Sequence, residues 1–177
     1  LGYMWAINYD KERAIKIKET LEVTTFILGS EIGTHLLLDR LRYLGSKDLL
    51  TGVMNRNEMN NYVDDLCSGK YPGVSAGVIF ADLNGLKEVN DVEGHNAGDI
   101  LLKNTANILC NVFDEKQIFR AGGDEFSIIL TDVTEEEVDK KIAKIHELCE
   151  KSGNVSISLG GCVEEDSRNV RMALRLA

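Results

Sequence analysis

Apolar residues in the first quarter of the chain recur at helical spacing. Ile17, Leu21, Leu28 and Ile32 fall four or seven positions apart, as Leu37, Leu41 and Leu44 fall four and three apart. The pattern predicts one long helix from about residue 10 to residue 45. Its stripe is narrow, so the helix either packs on its own domain or pairs with a twin. The lack of proline before Gly45 favours pairing; Gly29 and Gly33 weigh against the helix, at about 1 kcal/mol each. Ahead of it, residues 2–7 read as a short strand. Beyond Lys47 the rhythm changes. Residues 57–67 form an amphipathic helical pattern, and Pro72-Gly73 break the chain before an apolar run, 74–81, that reads as a buried strand ending on Asp82. A polar, glycine-containing loop is predicted for 84–94 and a helix for 97–112. Residues 117–120 and 126–130 read as strands of a hairpin joined through Gly122-Gly123-Asp124-Glu125. Thr134-Glu135-Glu136-Glu137 is a capping-box start for a helix to about residue 151. A strand at 155–163 and a last helix from near Asp166 follow. Strands and helices alternating in this way predict an α/β (α+β) fold with a mostly antiparallel central sheet flanked by helices.

The 177 residues suffice for one domain with a full core plus an appendage. Twenty Lys and Arg against 29 Asp and Glu give a formal charge of -9. So acidic a surface repels nucleic acid and anionic lipid, which are poor candidates as partners. A polyphosphate ligand would need divalent cations or a local cationic cluster beside it. Cys67, Cys110, Cys149 and Cys162 form no C-x-x-C pair and are expected as buried, reduced thiols in a reducing cytosol. His35, His95 and His146 show no metal-ligand spacing. The longest apolar stretch, 26–38, is interrupted by Glu31 and His35 and falls short of the ~20 residues that cross a bilayer. With no membrane segment and no signal peptide, the chain is expected in the cytoplasm. Its opening Leu1 and closing Arg175-Leu176-Ala177, without a helix stop, read as a fragment of a longer protein.

Two acidic clusters stand out by position: Asp82 closes a buried strand, and Asp124-Glu125 sit at a hairpin tip. Were those strands neighbours, three carboxylates would converge at one sheet end, a costly arrangement unless a hard cation such as Mg²⁺ neutralises it. Taken singly, each acid also reads as a solvated turn residue. Gly122-Gly123 beside them would let a backbone approach a ligand with no Cβ in the way.

Arg120-Ala121-Gly122-Gly123-Asp124-Glu125-Phe126 resembles the signature of the GGDEF family of diguanylate cyclases. Asp48-Leu49-Leu50-Thr51-Gly52 through Asn55-Arg56 resembles the family's opening D-x-L-T-G-x-x-N-R. Asp82-Leu83-Asn84-Gly85-Leu86-Lys87-Glu88-Val89-Asn90-Asp91, then Gly94-His95 and Gly98-Asp99, are similar to its central block, and Ser156-Ile157-Ser158-Leu159-Gly160 to its late strand. Four blocks in order are far more specific than a lone G-G-D-E-F. The resemblance implies a fold like nucleotidyl cyclases and polymerase palms over 47–177, with 1–46 as the end of an upstream sensory domain and a signalling helix. It implies that two GTP molecules become cyclic di-GMP and two pyrophosphates in a Mg²⁺-dependent homodimer, with Mn²⁺ as the alternative ion.

The same resemblance assigns roles. Asp82, Asp124, Glu125 and the carbonyl of Leu83 would hold the metal. Backbone N–H groups at 84–87, Leu86 included, would face the phosphates. Lys87 and Arg120 would add positive charge, and Gly122 and Gly123 would allow close approach. Asn90 and Asp99 would read guanine, whose adjacent N1–H and N2–H donors suit one carboxylate. Asp124 or Glu125 would accept the proton of the attacking hydroxyl. Asn55 and Arg56 stitch the entry turn, and His95 orders the loop at Gly94. Phe113 and Lys116 stand where many relatives carry the R-x-x-D site that binds product, so feedback through that site is not expected. Residues 2–10 resemble the close of a GAF sensory domain. Other readings are a silent GGDEF domain that binds GTP as a regulatory module, or a dimerising relay; the intact acids favour the active enzyme. P-loop and dinucleotide fingerprints are absent.

Overall fold

The apolar run ahead of Asp82 becomes the strand on which the second half of the chain is assembled. The computed structural model describes residue 6 and residues 11–176. The chain divides into two compact units, Leu1–Gly45 and Ser46–Ala177.

In the first unit a short 3₁₀ turn, Lys11–Arg13, leads into α1, Ala14–Gly45. The helix runs unbroken through Gly29 and Gly33. Thr20, Thr24, Thr25 and Thr34 donate their hydroxyls to carbonyls four residues back, which satisfies these β-branched residues inside a helix. Within this unit Ile17 and Leu21 are half-buried, while further along the helix the large apolar side chains face solvent: Phe26 is 78% exposed, and Ile32, Leu37 and Leu41 all exceed half. The strand expected at 2–7 and the GAF-like stretch 2–10 lie, Ala6 apart, outside the described residues.

The second unit runs β1 (Met54–Asn55), α2 (Arg56–Cys67), β2 (Ala76–Leu83), α3 (Leu86–Glu93), α4 (His95–Cys110), β3 (Ile118–Arg120), β4 (Glu125–Thr131), α5 (Glu135–Ser152), β5 (Ile157–Glu164) and α6 (Val170–Leu176). The sheet order is β1-β3-β4-β2-β5. Only the β1–β3 pairing is parallel, so the predicted mostly antiparallel sheet flanked by helices is what forms. One face packs Ile79, Ala81, Phe126 and Ile128 against Leu101, Leu109, Val138 and Ile145 of α4 and α5. The other packs Val78, Phe119 and Ile129 against Val63 and Leu66 of α2 and Val170 and Ala173 of α6. With both faces covered, β2 has no polar alternation except at its end, where Asp82 emerges.

Two expectations are corrected. Residues 84–94 are not a loop: α3 occupies most of them, because Leu86 and Val89, three apart, pack on the core. Its start is a left-handed glycine, Gly85 (φ 78°), with no side-chain cap to announce it. The cysteines are free, but none is fully buried and Cys110 is exposed. The capping box at Thr134 and Glu137 forms as expected.

Candidate active site at the end of the sheet

The register of β2 decides which acids meet. Asp82 lies directly opposite Glu125 on β4 and opposite Ser158 on β5. The row Glu125–Asp82–Ser158 therefore crosses three strands on one face. Residues directly opposed in antiparallel strands stand about 5 Å apart at Cβ, and like charges so placed repel. Both acids are exposed, at the mouth of a groove lined also by Phe80, Ser158 and Gly160. The Leu83 N–H donates to the Asp124 carbonyl at 3.1 Å. N–H and C=O of an extended residue point toward the same neighbouring strand, so the Leu83 carbonyl also faces the signature loop. Among the described residues no three acidic, His or Cys side chains are grouped, as they stand, so as to hold a metal ion. The sheet pairs two carboxylates, and half-buried Asp124 sits in the turn just before β4.

The signature loop is shaped by Arg120. Its Nη1 donates to Asp48 Oδ1 at 3.1 Å, and its Nη2 and Nε donate to the Gly123 carbonyl at 2.7 and 3.2 Å. Asp48 also accepts from the N–H and hydroxyl of Thr51, at 2.9 and 2.6 Å. Burial alone would raise the Asp48 pKa, but the Thr51 and Arg120 hydrogen bonds outweigh it and hold the carboxyl below its ordinary value. Arg120, expected to lend charge to phosphates, is thus engaged by a carboxylate and by the loop it supports. A Cβ on Gly122 would lie 2.5 Å from Glu125 Oε2, so a side chain there would displace that carboxylate. Gly123 has open space at that position.

The other predicted residues line the helices that leave the row. Asn84 and Gly85 turn the chain into α3, whose first N–H groups, those of Leu86 and Lys87 among them, have no side-chain cap. Lys87 is exposed and, among the described residues, forms no ion pair. The Leu86 side chain packs on the core, so only its backbone is available to a ligand. Half-buried Asn90 lies against the Cα of Gly98, where any Cβ would collide with its amide. Half-buried Asp99 follows Gly98 on α4. Asn55 caps α2 through Glu58 N–H at 3.0 Å and donates to the Lys47 carbonyl at 3.2 Å. Phe113 is buried beneath the Lys141 ammonium, 5.1 Å from its ring centroid. The residues missed from sequence are those that act across long separations: Asp48 as the partner of Arg120, and Ser156 and Ser158 as partners of Asn84. For Asp48 the signal was present in Asp48-x-x-Thr51, a spacing that lets an Asp cap its own turn.

Residues 46–177 match the family described as "Diguanylate cyclase, GGDEF domain". The chain belongs to the GGDEF family of diguanylate cyclases. Diguanylate cyclase DosC of Escherichia coli is 30% identical over 145 residues, covering 79% of this chain and 31% of DosC. An uncharacterised membrane protein of Staphylococcus epidermidis is 30% identical over 152 residues, covering 78% of this chain and 43% of that protein. The chain thus spans less than half the length of these curated relatives. No helix among the described residues is long and apolar enough to cross a membrane. The crystal structure of the coiled coil and GGDEF domain of DgcB from Caulobacter crescentus, in complex with c-di-GMP, shares the fold, with a TM-score of 0.71 and 22% identity. That match covers 88% of this chain and 91% of the other. The GGDEF match begins at residue 46, at the same boundary that separates the two compact units.

Proposed function

We propose that this GGDEF domain condenses two GTP molecules into cyclic di-GMP and two pyrophosphates, as a Mg²⁺-dependent homodimer in the cytoplasm. One observation carries the reading: Asp82 and Glu125 stand side by side at the sheet end, next to the uncapped start of α3. The donor set suits a hard cation, since Mg²⁺ takes one or two carboxylates together with substrate phosphates and keeps several waters. Asp82, Glu125, Asp124 and the Leu83 carbonyl would hold it, and Mn²⁺ fits the same oxygens. Bound there, the ion acidifies the attacking 3′-hydroxyl and offsets charge at the α-phosphate.

The chain's own residues do the rest. N–H groups of Leu86 and Lys87 donate to the β- and γ-phosphates, as helix starts do for anions, and the Lys87 ammonium adds charge. Gly122 and Gly123 keep side chains clear of the triphosphate. Asp99 accepts N1–H and N2–H of guanine, with Asn90 beside it, and adenine lacks that donor pair. Arg120 acts indirectly, by fixing the Gly123 carbonyl. Asp124 or Glu125 takes the hydroxyl proton. Each subunit holds one GTP, so two must face each other across a two-fold axis. The exposed apolar residues of α1 support that pairing. We read residues 1–46 as the link from a sensory domain and 47–177 as the cyclase.

Purified protein given GTP and Mg²⁺ is expected to release two pyrophosphates per cyclic di-GMP. Asp82→Asn is expected to slow this by more than the ~100-fold that losing an outer-shell partner of a metal costs. Nucleotide binding with no product would replace this reading with a silent regulatory domain.

A further inference from the structure

Asn84 is tied by three contacts to Ser158 of β5 and to Ser156 just before it. Its backbone N–H donates to the Ser156 carbonyl at 2.9 Å. Its Nδ2 donates to Ser156 Oγ at 3.2 Å, and its Oδ1 accepts from Ser158 Oγ at 3.0 Å. Asn84 is also the last residue before Gly85, whose φ of 78° swings the chain into α3. It is therefore the final point at which the sheet can fix the direction of the first α3 N–H groups. Ser158 has a second place in this geometry, as the residue directly opposite Asp82. One side-chain amide so connects the acid row to the turn that begins α3.

The chemistry of residue 84 matters as much as its bonds. An amide offers one donor group and one acceptor, while a serine hydroxyl can do either. A carboxylate at this position would keep both hydrogen bonds by rotation of the serine hydroxyls. It would also add a negative charge two residues from Asp82, in a row that already holds Asp82 and Glu125.

We propose that Asn84, clamped by Ser156 and Ser158, is a positioning residue that locks the phosphate-facing turn to the acid row, and that its neutrality sets the cation affinity of the site. This rests on the nucleotide reading above. The clamp acts on binding of the triphosphate: without it residues 84–87 lose their fixed direction while the acids stay in place on their strands.

Ser156→Ala/Ser158→Ala and Asn84→Asp in this chain test it with two readouts. Both serines are exposed, so their truncation leaves the core intact. The first readout is hydrogen exchange without nucleotide at the amides of Asn84 and Val89, which donate to the carbonyls of Ser156 and Gly85 at 2.9 and 3.1 Å; the second is Mg²⁺-dependent binding of a non-hydrolysable GTP analogue with the kcat and KM of turnover. The double serine variant is expected to exchange about tenfold faster at these amides and to raise Kd and KM about tenfold, with kcat within about twofold, as two hydrogen bonds of ordinary strength imply. Asn84→Asp is expected to keep the slow exchange and to lower the Mg²⁺ concentration at half-saturation. Wild-type exchange in the double variant overturns the clamp, and an unchanged Mg²⁺ midpoint in Asn84→Asp overturns the role of neutrality. A wild-type protein that binds no GTP analogue overturns the proposed function, while the exchange result still decides the clamp.

Discussion

A methyl group on Gly122 would meet Glu125 Oε2 at 2.5 Å, and its next nearest contacts are further along the same side chain. The clash falls on the flexible end of one residue, not on backbone. Gly122→Ala is therefore expected to turn the Glu125 carboxylate away at a cost of under about 1 kcal/mol in stability, the range of an ordinary surface change. Turnover should fall at least ~10-fold, since removal of one well-placed polar group commonly costs that or more. Paired thermal melts and product assays check it; an unchanged rate would remove Glu125 from the site. Asp48 gives a second residue-scale test. Its folded pKa lies below the ordinary 3.8, so its contribution is complete above the unfolded value and fades as pH falls through the folded one. The stability advantage of wild type over Asp48→Asn should be level above about pH 5 and shrink as acid is added below it. Denaturant melts across pH measure this, and an advantage that grows in acid would contradict it. The four motifs singled out Asp82 and Glu125, which the β2–β4 register then pairs. The Arg120–Asp48 ion pair was not legible in sequence, because its members are 72 positions apart and only the folded turn brings them together.

Periodicity served best where an element is long or begins with a cap. The 32-residue α1 and the Thr134 capping box were both readable. The eight-residue α3 was not: it starts on Gly85, a residue that reads as a loop, and it carries only two core contacts, Leu86 and Val89. Its polar residues Lys87, Glu88 and Asp91 are exposed, which in sequence looks the same as a turn. α1 carries its own prediction. Leu37 and Leu41 are exposed within their unit, and burying a leucine contributes about 1.5–3 kcal/mol. If the helix pairs with a second copy, Leu37→Lys/Leu41→Lys should shift the protein from dimer to monomer in sedimentation equilibrium. Turnover per chain should drop with it. A dimer of undiminished activity would place the pairing surface elsewhere.

At the scale of the whole molecule, the net charge of -9 and the acid row work against a triphosphate ligand. Under the proposed function four things at one sheet end would offset this: paired oxygen donors, an uncapped helix start, Lys87, and the glycine pair. Asp82 and Glu125 lie 43 positions apart in the chain, yet the β2–β4 register makes them direct neighbours. The decisive measurement is diffraction from crystals of the protein with Mn²⁺ and a non-hydrolysable GTP analogue. The expected result is an anomalous peak between Asp82 and Glu125, phosphates against residues 84–87, and guanine at Asn90 and Asp99. A peak away from that pair, or a nucleotide bound elsewhere on the domain, would contradict it.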